Sequence, residues 1–139
     1  MEGLLVALAT LAAATVFGFA WRLRQGRMAD RGGPVLTADD IGAELGERAT
    51  LVQFSTAFCQ PCRATRRVLA EVTAMVPGVR HVEIDAESRL ELVRELGVLR
   101  TPTVLVLDAA GTIVRRAAGL PGKADVIAAL GLAVRNGRS

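Results

Sequence analysis

The chain has little of what most reactive or recognition chemistry requires. Its 139 residues include two cysteines, one histidine, one tryptophan, four phenylalanines and no tyrosine. A tetrahedral zinc site usually draws four ligands from Cys and His, so Cys59, Cys62 and His81 would need a carboxylate or a second chain to complete one, and no metal is expected. Covalent haem attachment needs a histidine directly after the second cysteine, where Arg63 stands. The net charge of +3 does not point to nucleic acid either. No basic run is interleaved with aromatics, which leaves neither a stacking platform nor a groove-reading helix. No internal repeat is detectable.

Charge itself is missing from Gly3 to Trp21, GLLVALATLAAATVFGFAW. At 1.5 Å per residue these nineteen residues cover about 28 Å of hydrocarbon, the thickness of a bilayer core. A membrane span is expected at 3–21. The competing reading is a cleaved secretory signal, with Gly18-Phe19-Ala20 as a small-x-small site, but only Met1 and Glu2 precede the segment and no basic leader is present. Arg22, Arg24, Arg27 and Arg31 follow at once. The flank richer in Lys and Arg stays in the cytoplasm, so a single-pass protein with an outside N-terminus and a cytoplasmic domain is expected. The opposite sidedness, with the domain facing outward, is the main alternative. Gly32-Gly33-Pro34 breaks any continuing helix. The organisation expected is therefore an anchor at 1–21, a basic linker at 22–36 and a domain at 37–139.

Within the domain, Thr37-Ala38-Asp39-Asp40 has the form of a helix start, with Ile41 and Leu45 as the apolar face and Gly46 as the stop. Thr50 to Ser55 reads as a strand. Val68, Leu69, Val72, Met75 and Val76 recur at helical spacing until Pro77-Gly78. Val79 to Asp85 reads as a strand with Val82 and Ile84 inward, followed by a helix carrying Leu92, Val93 and Leu96. Thr103 to Leu107 is a nearly continuous apolar strand, as a sheet centre covered on both faces requires. Asp108 to Gly111 turns it into a hairpin partner at Thr112 to Ala117. A last helix spans about Lys123 to Val134. Alternation that ends in a hairpin implies an α/β fold, a central mixed sheet with helices on both faces. A further, degenerate strand is expected at Val35-Leu36, before the first helix.

The reactive stretch is Leu51 to Arg67, LVQFSTAFCQPCRATRR. A strand ends in small polar residues, and Cys59 stands where it hands over to a helix. Unpaired N–H groups in the first turn of a helix favour a thiolate over a thiol. Pro61 suits that turn because its missing N–H is not needed there. Cys62 lies one turn on and is less exposed, so the pair reads as an attacking and a resolving thiol. A static structural disulfide is a poor alternative, because closing so short a loop removes little entropy from the unfolded chain.

These residues resemble the thioredoxin family, over about Thr37 to Leu132. Phe58-Cys59-Gln60-Pro61-Cys62-Arg63 is similar to the family's Trp-Cys-Gly-Pro-Cys-Lys/Arg, Thr101-Pro102-Thr103 resembles its cis-proline loop, and Gly119 matches a glycine beside its active-site groove. The resemblance implies a thioredoxin-like fold and thiol–disulfide exchange without a dissociable cofactor. Partners would be protein or peptide disulfides and a thiol–disulfide donor or acceptor protein. It implies that Cys59 forms a mixed disulfide that Cys62 resolves, and that Pro102 packs beside the sulfurs. Phe58, Gln60, Pro61, Thr101 and Gly119 would meet substrate. Arg63, Arg66 and Arg67 would add positive potential. The family's buried Asp, six residues before the first Cys, is replaced by Gln53, which takes up no proton. His81, where a Lys is often found, then becomes the candidate proton acceptor for Cys62. A binding module with little turnover is the alternative of a different class.

Overall fold

The computed structural model describes residues 1–24, 29–30 and 34–137. Helix α1, Glu2–Arg24, is exposed along its apolar length. The Thr10 and Thr15 hydroxyls donate to the Val6 and Leu11 carbonyls at 2.8 and 2.7 Å, so neither is left unsatisfied on the apolar surface. Arg27, Arg31, Gly32 and Gly33, and the side chains of Arg22 and Arg24, lie outside the described residues.

The domain is built on β2 (Ala49–Ser55), β3 (Val79–Asp85), β4 (Thr103–Asp108) and β5 (Ile113–Ala118). β3 runs parallel to β2, while β4 is antiparallel to both β2 and β5, giving the mixed four-stranded sheet expected from the alternation. A two-residue strand, β1 (Ala29–Asp30), adds to the β5 edge, for the order β1-β5-β4-β2-β3. The Val35–Leu36 strand is reduced to a single antiparallel bridge between Val35 and Thr112.

Every residue of β2 and β4 is buried, which is why both read as apolar runs. Strand alternation sends Val52, Phe54, Leu105 and Leu107 to one face, where they pack with Val82, Ile84, Leu92 and Leu96. That side carries α2 (Ala38–Ile41) and α4 (Leu90–Glu95). Leu51, Val104 and Val106 turn to the other face, against Leu69 and Val72 of α3 (Gln60–Met75) and Val126 and Leu130 of α5 (Lys123–Asn136). Covering both faces leaves the ends of the strands as the place for chemistry. The site sits at the end shared by Ser55, Thr103 and Ala118.

α2 is shorter than its sequence suggests. The expected Thr37–Asp40 capping box forms, with Thr37 N–H donating to Asp40 Oδ2 at 2.8 Å and Asp40 N–H to Thr37 Oγ1 at 3.3 Å. The helix then ends at Gly42 in a left-handed cap rather than continuing to Gly46. Leu45, the expected second apolar contact, packs on the same core from outside the helix.

Candidate active site

Cys59 is the N-cap of α3, and Pro61 stands in the first turn as expected. Cys59 and Cys62 form a disulfide, with Cα atoms 5.2 Å apart. The Cys62 N–H donates to Cys59 Sγ at 3.2 Å, so the first sulfur occupies the position where a helix gathers anions. The two cysteines differ in access: Cys59 is half-buried and Cys62 is 1% exposed. Gln60 and Pro61 are exposed between them. Phe58 is fully exposed at the tip of the β2–α3 loop, so it presents an apolar ring to solvent instead of covering the sulfurs.

The proline loop arrives from the other side of the sheet. The Thr101–Pro102 bond is cis, and Pro102 is buried. Thr101 Oγ1 lies 3.3 Å from Thr56 Oγ1, which ties the loop to the segment leading into Cys59. Gly119 N–H donates to the Pro102 carbonyl at 2.8 Å. Its φ of +95° is open to glycine and strained for other residues, so Gly119 holds the end of β5 against Pro102 by virtue of its backbone. Leu99, two residues before Thr101, is almost fully exposed, and Leu120 is half-exposed. Neither was singled out from sequence; an apolar pair flanking the proline loop and the groove glycine was the available signal.

Beneath Cys62 lies a polar chain. Gln53 is fully buried, and its amide nitrogen donates to Ser55 Oγ and to the Cys62 carbonyl, both at 2.9 Å. That leaves Gln53 Oε1 to accept from His81 Nε2, 3.0 Å away, so His81 carries its hydrogen on Nε2. His81 therefore reaches Gln53 rather than a sulfur. Burial pushes the His81 pKa below its ordinary value, opposed by the Glu83 carboxylate and reinforced by Arg66. Arg66 makes a two-point ion pair with Glu83, at 2.7 and 2.8 Å, so much of its expected positive potential is neutralised locally. Arg63 and Arg67 remain exposed on α3.

Residues 35–130 match the thioredoxin family model. The chain belongs to the thioredoxin family. Human (Homo sapiens) thioredoxin domain-containing protein 2 is 35% identical over 72 residues, covering 50% of this chain but only 13% of that protein. Bacillus subtilis (strain 168) thioredoxin is 32% identical over 88 residues, which cover 63% of this chain and 84% of the relative. Among solved structures, chloroplastic thioredoxin z superposes with a TM-score of 0.56 at 26% identity, over 63% of this chain and 79% of that one. A thioredoxin domain bearing this Cys59–Cys62 pair supports thiol–disulfide oxidoreductase activity. The apolar helix that precedes the domain is long enough to cross a membrane, and a signal sequence has the same form.

Proposed function

We propose that this chain is a membrane-tethered thiol–disulfide oxidoreductase acting on protein disulfides. The observation that carries the reading is the asymmetry of the pair, with an accessible Cys59 capping α3 and a buried Cys62 one turn behind it. Cys59 as thiolate attacks a substrate disulfide, breaking that S–S bond, forming a mixed disulfide and releasing one substrate thiolate. Cys62 then attacks the Cys59 sulfur; the mixed disulfide breaks, the second substrate thiol leaves, and the Cys59–Cys62 disulfide remains. Two electrons have passed to substrate, and a dithiol donor protein must return them.

Pro102, Thr101 and Gly119 shape the edge on which an extended substrate segment lies, with Phe58, Gln60 and Pro61 on the opposite rim. Gln53 and His81 act on Cys62 from below, His81 by holding the carboxamide that in turn holds the Cys62 carbonyl. The arginines that follow the apolar segment at 3–21 support a cytoplasmic side for the domain at 37–139.

Trapping tests the assignment of the two cysteines. Cys62→Ser should accumulate a stable mixed disulfide through Cys59, detected by mass spectrometry, and Cys59→Ser should trap nothing. Equal trapping by the two variants would contradict the assigned roles.

A further inference from the structure

The pairing along β5 gives the direction of the chain at the N-terminal edge of the domain. Val35 bridges to Thr112 and the Leu36 N–H donates to the Gly111 carbonyl at 2.9 Å, at the end of β5 remote from the sulfurs. Asp30 pairs with Arg115 and Ala29 with Arg116. The partner thus moves from Thr112 at Val35 to Arg116 at Ala29, in the direction of Ala118 and Gly119. At that end β5 meets Thr103, Gly119 bonds to Pro102, and β2 hands over to Cys59. β1, read from Asp30 to Ala29, therefore runs towards the end of the sheet that carries the disulfide, with Ala29 level with Leu105 and Val52.

The tether is also short. From Arg24, the last residue of α1, to Ala29 there are five backbone steps, which extend to about 18 Å at most. Across the sheet, β1 lies three strand spacings from β2, or about 14 Å. The face so restrained carries exposed apolar side chains, with Phe58 at 102%, Leu99 at 96% and Leu120 at 53% exposure. They stand on the loops around Cys59, Pro102 and Gly119, and bare apolar groups on loops that flank one site suit an interaction surface. A soluble globular partner of about 100 residues has a radius of gyration near 13 Å and is wider than the tether is long. It would have to enter the gap between domain and bilayer.

We propose that the tether turns the Cys59 face towards the bilayer, so that the redox partners are cysteines of integral membrane proteins lying close to the membrane surface. This rests on reading α1 as a retained membrane span. In the exchange, the reduced Cys59–Cys62 pair breaks the partner's S–S bond, releases its two thiols and closes its own disulfide; a reduced partner runs the same step in reverse.

The full chain, placed in phospholipid vesicles, tests this with two transmembrane peptide probes in the same vesicles. One carries an intramolecular disulfide a few residues outside the bilayer. The other carries it at the end of a helical spacer of about 40 residues, roughly 60 Å out. The reduced protein should float with the vesicles and reduce the near probe ~10-fold faster or more, because the tether sets a high local concentration only there. A Gly/Ser insertion of about 30 residues between Gly26 and Arg27 should erase that preference. Flotation with equal rates, or with the distant probe favoured, would overturn the inference while leaving the anchor intact. Failure to float would overturn the anchor and the inference together.

Discussion

Gln53 uses both amide hydrogens and its oxygen, on Ser55, the Cys62 carbonyl and His81, and it does so without any exposure to solvent. A buried polar group so satisfied is rigid, and removing one partner costs about 1–3 kcal/mol. His81→Ala is expected to destabilise the domain by that order, and to slow resolution of the mixed disulfide by roughly fivefold or more, with its formation little changed. Single-turnover kinetics that separate the two steps check this, and equal slowing of both would point to a general structural loss. The imidazole also sets a pH dependence. Because burial lowers its folded pKa, the unfolded chain takes up a proton first as pH falls. Stability should therefore be at its full value above about pH 6.5 and decline as pH drops towards the folded pKa. His81→Gln, which keeps a donor but does not titrate, should flatten that decline in melting curves from pH 5 to 8; an unchanged slope would contradict it.

Among the elements, the turn before β2 leaves no room for a side chain at Gly46. A Cβ added at Gly46 would lie 2.1 Å from the Ala49 carbonyl oxygen and 2.9 Å from both Arg80 N and the Gly78 carbonyl oxygen, all of them backbone atoms that do not yield. Gly46→Ala should cost about 1–3 kcal/mol, lowering Tm by roughly 4–8 °C for each kcal/mol, as differential scanning calorimetry would show. The spacing of Ile41 and Leu45 predicts a helix to Gly46, but that spacing holds whether or not the backbone between them is helical, and the helix ends at Gly42. β2 and β4 were legible because burial on both faces demands apolar runs, and β3 because Val82 and Ile84 alternate inward on a half-exposed strand. β1 was not, since Ala29–Asp30 is held by backbone pairing and has no apolar alternation to betray it. The cysteines and Pro102 were legible because their chemistry restricts the residue types allowed. The Gln53–His81 contact was recoverable in principle, as Gln53 lies opposite Glu83 and His81 falls two residues earlier on the same face of β3.

At the scale of the whole molecule, the chain joins a redox domain to an apolar helix, and on the tethered reading proposed above its sidedness decides what it meets. A phosphatase fused after Ser139 should be inactive in intact cells if the arginines after the helix keep the domain in the cytoplasm. High activity would place the domain outside. Either side leaves the chemistry at Cys59 and Cys62 unchanged, so the central claim is turnover itself. Its most direct test is reduction of insulin disulfides by the full chain, with dithiothreitol as electron source. The parent is predicted to accelerate the reaction well above the dithiothreitol background and Cys59→Ser to return it to that background. A parent no faster than dithiothreitol alone would contradict the oxidoreductase account and leave a binding module in its place.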